Sequence, residues 1–111
     1  MNLKERLRGI LLEKLELRKK ENDELVLAEI DNNIEGCTSI LHERAEQAKT
    51  KVSVLITPFI NQSELCRSLY RRVAVGAVEY FKKEGLCVSA QESIFDGKLN
   101  IHLEISGWAD E

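Results

Sequence analysis

The sequence predicts an α+β domain, helical over its amino-terminal half and β-α-β-β over the remainder. Three observations carry this. Apolar residues recur at spacings of three and four from Leu3 to Ala48. A β-branched run, Val52-Ser53-Val54-Leu55-Ile56-Thr57, stops at Pro58. The pair Asp96-Gly97 separates two segments of alternating polarity. At 111 residues the chain has the length of one domain, with a helical part over residues 2–49 and a β-α-β-β part over residues 51–108.

Leu3, Leu7, Ile10, Leu11 and Leu15 share one face of an amphipathic helix over residues 2–21, whose basic end, Arg18-Lys19-Lys20, suits the negative pole of the helix dipole. Glu21-Asn22-Asp23-Glu24 reads as a break, with Asn22 or Asp23 capping a second helix that runs to Lys49. The second helix carries Leu27, Ile30, Ile34, Cys37, Leu41, Ala45 and Ala48, nearly a heptad stripe. Gly36 within it costs about 1 kcal/mol relative to Ala, which predicts a kink or a close approach of another backbone. Joined by a short link, the two helices would form an antiparallel αα-hairpin. One continuous helix is the alternative, because residues 21–24 hold neither Gly nor Pro.

The Val52–Thr57 run predicts a buried strand entering a turn at Pro58. A third helix follows, started by Ser63 and stopped by Gly85 in the C′ position. On it, Cys66, Leu69, Tyr70, Val73, Ala74, Ala77, Tyr80 and Phe81 fall within less than half the circumference, which assigns that face to the core. Asp96-Gly97 specifies a two-residue type I′ turn and therefore a register. Phe95 pairs with Lys98, and Ile94, Glu92, Ala90 and Val88 lie opposite Leu99, Ile101, Leu103 and Ile105 on one face, apolar except for Glu92. The other face collects Ser89, Gln91, Ser93, Asn100, His102 and Glu104. The sheet is either a parallel pair through a right-handed crossover or, with the third strand in the middle, wholly antiparallel.

Composition excludes several functional classes. An apolar share of 43% against 32% charged describes a folded chain with a solvated surface, and 5% aromatic content disfavours base-stacking platforms. Nineteen acids against sixteen bases give a net charge of −3, and cutting at residue 50 leaves −2 and −1, unlike a basic DNA-binding domain. No apolar run approaches the roughly 20 residues that span a membrane, and the start, Met1-Asn2-Leu3-Lys4-Glu5-Arg6, lacks the apolar stretch of a signal peptide. Cys37, Cys66 and Cys87 are odd in number and widely spaced, so they read as buried small hydrophobes in a reducing compartment. These features point to a cytoplasmic protein.

Residues able to carry chemistry are few. The two histidines, His42 and His102, sit on unrelated elements. Zinc needs close-spaced ligand pairs, and the chain has neither Cys-x-x-Cys nor His-x-x-x-His, no glycine-rich phosphate loop and no Gly-x-Ser-x-Gly. No enzyme activity, metal or cofactor is therefore expected. The polar hairpin face, Gln91, Asn100, His102 and Glu104, is a secondary candidate site, although an ordinary wetted sheet face is the simpler explanation.

The third helix carries the anomaly. Opposite its core face, Val75 and Val78 stand among Arg67, Arg71, Arg72 and Lys82, where a solvated surface should be polar. Either another helix of this chain covers that face, or it binds an acidic protein segment, a nucleotide or a nucleic-acid backbone. The leading expectation is a non-enzymatic interaction protein that binds a partner through its helical surfaces and forms a homo-oligomer, most simply a dimer.

From Ala48 to Trp108 the chain also resembles a loose group of small, uncharacterised phage and prophage proteins. Four features carry this: Lys49-Thr50-Lys51, then Val52-Ser53-Val54, a helix closing in Phe81-Lys82-Lys83-Glu84-Gly85-Leu86, and the ending Ile105-Ser106-Gly107-Trp108. Gly107 departs from the group's Ile-Ser-Trp ending. The resemblance implies a bacterial or phage origin and an accessory, host-modulating role, and it transfers no site residue.

Overall fold

The computed structural model describes residues 2–59 and 63–109. Helix α1 spans Leu3–Glu46, strand β1 Lys51–Leu55, helix α2 Glu64–Lys83, strand β2 Cys87–Phe95 and strand β3 Lys98–Ser106. The class is the expected α+β. In the helical half the alternative reading holds: residues 3–46 form one helix rather than a hairpin.

The cause is local. No Gly or Pro lies between Gly9 and Gly36, so nothing breaks the backbone ladder at residues 21–24. Asp23, a candidate cap, instead accepts a 2.8 Å bond from Arg72 Nη2 on α2. The start of α1 is capped by Asn2, whose Oδ1 accepts from Glu5 N at 2.8 Å. Its end is turned by Ala48 in the left-handed region, φ 59°. Ser63 caps α2 through Cys66 N, and Gly85, φ 88°, ends it as expected, with Leu86 N donating to Phe81 O.

The sheet order is β1-β3-β2, wholly antiparallel. Every expected hairpin pair is present, from Phe95 with Lys98 to Val88 with Ile105. Asp96 and Gly97 both have positive φ, 53° and 74°, as a type I′ turn requires. Gly97→Ala should cost about 1–2 kcal/mol, since a Cβ in the left-handed region meets the following carbonyl. Chemical denaturation that shows no loss would remove this role.

The core lies on one sheet face. Leu99, Ile101, Leu103 and Ile105 of the central strand are almost wholly buried beneath Leu69, Tyr70, Val73, Ala77 and Phe81 of α2. The second half of α1 packs beside α2 and towards β1, burying Val26, Asn33 and Cys37. Asn33 is satisfied there: its Nδ2 donates to Glu29 O and its Oδ1 accepts from Thr57 N. The stripe expected at Leu27, Ala45 and Ala48 is displaced, because all three are exposed and Val26 and Asn33 take the inward positions.

Three further expectations are corrected. Gly36 does not interrupt α1 and meets no neighbour, since a Cβ there would find nothing within 4 Å. The close helix contact is at Gly76, where an added Cβ would come within 2.3 Å of Ile30 Cδ1. Cys87 is exposed rather than buried, on the outer side of β2, and Gly107 (φ 99°) lies so close that a Cβ would stand 3.0 Å from Cys87 N. Tyr80, assigned to the core, is 39% exposed because the helix end lifts it to the rim.

Candidate functional site

The structure first distributes the α2 residues. Arg67 Nη2 donates to Gly97 O at 2.8 Å, tying the helix to the hairpin turn. Arg71 Nε pairs with Glu92 Oε1 at 2.7 Å, and Arg72 pairs with Asp23. The one acid on the apolar side of the hairpin thus has an arginine above it. Both ion pairs are about half exposed and contribute little stability, but they occupy the guanidinium groups. Lys82 alone of the four basic residues makes no hydrogen bond or ion pair among the described residues.

Val75 is 56% exposed, and Val78 is half-buried against the core. Helix α1 packs on the Gly76 side of α2 and leaves Val75 largely exposed, at the edge of a groove shared with Val26, Leu27 and Ile30 of α1. Beyond Val75, an open groove of about 570 Å³ runs between α2 and β2, lined by Ala74, Val78, Lys82, Val88, Ala90 and Glu92 among others. Ala90 and Ile94 face the helical side of the sheet yet are exposed, Ala90 on the lining of that groove.

The polar face forms as expected. Gln91 is opposite His102, Ser93 opposite Asn100, and Glu104 stands between Ser53 and Ser89. Leu55 joins it beside His102, 44% exposed. This surface is a sheet face without a helix over it, and His42 lies elsewhere, on the rim of a 290 Å³ apolar cleft with Leu41, Phe81, Leu86 and Trp108. Trp108 closes that cleft by donating from Nε1 to Lys49 O at 2.9 Å. Among the described residues no group of His, Cys, Asp or Glu is placed to hold a metal. The Cys37 thiol is raised above its usual 9.0 by burial, which disfavours the thiolate nucleophile.

The largest surface feature is the amino-terminal arm of α1. Leu3, Leu7, Ile10, Leu11, Leu12, Leu15 and Leu17 are each between 47% and 64% exposed. The helix projects past the sheet, giving a long dimension of 69 Å and a radius of gyration of 18.6 Å, against about 13 Å for a spherical domain of this length. At 3.6 residues per turn, Leu3, Leu7 and Ile10 lie well over 90° around the helix from the face that packs on α2, whereas Leu15 comes round to that face and borders a groove with Leu65 and Leu69 of α2. The outer part of the arm therefore turns its apolar side away from its own body. Periodicity revealed the stripe but not its direction, because the expected hairpin would have buried it within the chain.

Dividing the helix where it leaves the body also exposes a charge asymmetry that a cut at residue 50 conceals. Residues 3–22 hold seven bases against four acids, while residues 23–46 hold seven acids against one base. The site is thus an apolar, cationic arm continuous with an acidic docked segment. No helix among the described residues is long and apolar enough to cross a membrane. Comparison of the chain with protein-family models, curated proteins and solved structures finds no match.

Proposed function

We propose that this chain is a non-enzymatic interaction protein, an accessory factor of phage or bacterial origin, that engages another polypeptide through its helical surfaces. The seven exposed aliphatic residues of the arm carry this reading. Such a concentration of apolar surface marks a contact site, and most helical stability in proteins comes from packing an apolar face, so a partner would stabilise the arm. Internal pairing of Arg71 with Glu92 and of Arg72 with Asp23 favours a polypeptide over a phosphate ligand at α2, since each carboxylate offsets the charge that would attract phosphate.

Photo-crosslinking in cells tests this. A photoreactive residue replacing Leu7 is expected to capture a polypeptide, and one replacing His102 is expected to capture none. No polypeptide adduct at position 7, or adducts to nucleic acid alone, would sink the proposal. A gel shift lost on Arg71→Glu/Lys82→Glu and weakening steeply with salt would favour nucleic-acid binding by α2 instead.

A further inference from the structure

We infer that the arm's partner is a second copy of this chain, with the two α1 helices running antiparallel so that each arm lies along the docked half of the other. The inference rests on the proposed interaction role and specifies its occupant.

Shape is the first argument. Beyond the arm, the line that carries Leu3, Leu7 and Ile10 continues along the docked half of α1 as Ala28, Asn32, Gly36 and Ser39, within roughly 50° at 3.6 residues per turn. All four are exposed, on the side of α1 away from α2. The helix therefore presents one solvent-facing line, with Leu3, Leu7 and Ile10 at its start, Lys14, Glu21 and Leu25 in its middle, and small residues from Ala28 to Ser39. Antiparallel pairing about a twofold axis near Glu21 and Asn22 sets large against small in its two outer parts. Leu7 then falls against Gly36 of the partner subunit, and Ile10 against Asn32 of the partner subunit. Gly36, which meets nothing within its own chain, would let the second backbone approach.

Charge is the second argument. The same pairing sets each arm, seven bases to four acids, against a segment of seven acids to one base, with Lys14 level with the partner's Glu29 and Arg18 level with the partner's Glu24. A parallel alignment would set basic arm beside basic arm and acidic segment beside acidic segment, so like-charge repulsion selects the antiparallel form. Size is the third. A contact strip about 60 Å long and about 10 Å wide, the width of a helix, covers on the order of 600 Å² per copy, or about 1,200 Å² in total, where stable interfaces begin. The bodies sit on the outer flanks, because each packs on the face of α1 turned from this line.

Light scattering on the full chain should give twice the 12.7 kDa chain mass. Gly36→Leu should reduce association at least tenfold without lowering the melting of the body, because the space around Gly36 is empty within one chain and Leu is the better helix former. Two charge variants, Lys14→Glu/Arg18→Glu and Glu24→Lys/Glu35→Lys, should each be monomeric alone and form a heterodimer when mixed, since reversed arm then meets reversed segment in both contacts. A monomer at every concentration, a dimer indifferent to Gly36→Leu, or charge variants that do not recover on mixing would each overturn the inference. If the chain is monomeric while the crosslinker at position 7 captures a different polypeptide, the interaction role stands and this assignment fails.

Discussion

Tyr70→Phe should cost about 2–5 kcal/mol, although it removes one oxygen atom. Strand β1 ends at Leu55, and at the next position Ile56 N still donates to Ile101 O. The reciprocal bond is absent, and the Tyr70 hydroxyl stands in its place. It accepts from Ile101 N at 2.9 Å and donates to Ile56 O at 2.6 Å, with the ring almost wholly buried. Phe would leave a buried N–H and a buried C=O without a partner, at about 1–3 kcal/mol each. Denaturant unfolding checks this, and a loss below about 1 kcal/mol would show that water or strand movement replaces the hydroxyl.

The same residue sets an alkaline limit. Burial raises the Tyr70 phenol above its usual 10.0, with the bond from Ile101 opposing, and burial raises the Cys37 thiol above 9.0. Both groups keep their protons longer in the folded state, so the unfolded chain binds fewer protons as pH rises, and stability falls. The contribution is intact below about pH 9 and is lost above it, first through Cys37 and, from about pH 10, through Tyr70. Tyr70→Phe should retain only the Cys37 part of that decline.

Gly76→Ala should destabilise the body by about 1–3 kcal/mol, the usual range for overpacking, against its gain in helix propensity of about 1 kcal/mol. The added methyl enters the space of Ile30 Cδ1 and Cγ1, at 2.3 and 2.9 Å, in the contact that seats α1 on α2. Ile30→Ala alone should also destabilise, by about 2–5 kcal/mol if the cavity does not collapse. The double variant should lose less than the two losses added, because the new methyl fills part of the cavity. A double-mutant cycle measures that coupling, and strict additivity would show that Ile30 swings aside freely. Gly36→Ala provides the contrast, since the absence of neighbours predicts no loss.

The elements differ in how far they could be read from the chain. Turn chemistry and alternation gave the hairpin register independently, and both hold because a two-residue turn leaves no slack. Capping residues and stop signals likewise placed α2. What local pattern did not decide was whether Glu21–Glu24 breaks a helix. A polar tetrapeptide without Gly or Pro ends a helix only if its side chains prefer the backbone, and here Arg72, 49 residues away, takes Asp23 instead. The candidate site inherits that uncertainty. A stripe at Leu3, Leu7 and Ile10 has the same spacing whether buried in a hairpin or presented to a second chain. The α2 arginines illustrate a similar limit, as basic residues on one helix face gave no sign that Glu92, Asp23 and the Gly97 carbonyl would occupy them.

Trp108, the sole tryptophan of the chain, has an experimental consequence. Its indole is pinned to Lys49 O and packs against the core at the end of the body remote from the arm. Its fluorescence thus follows the body and is blind to residues 3–22, whereas far-ultraviolet circular dichroism weights those residues heavily. Dilution that separates the subunits will lower the helical signal while tryptophan emission stays constant, and the two spectra will report different transitions of one molecule.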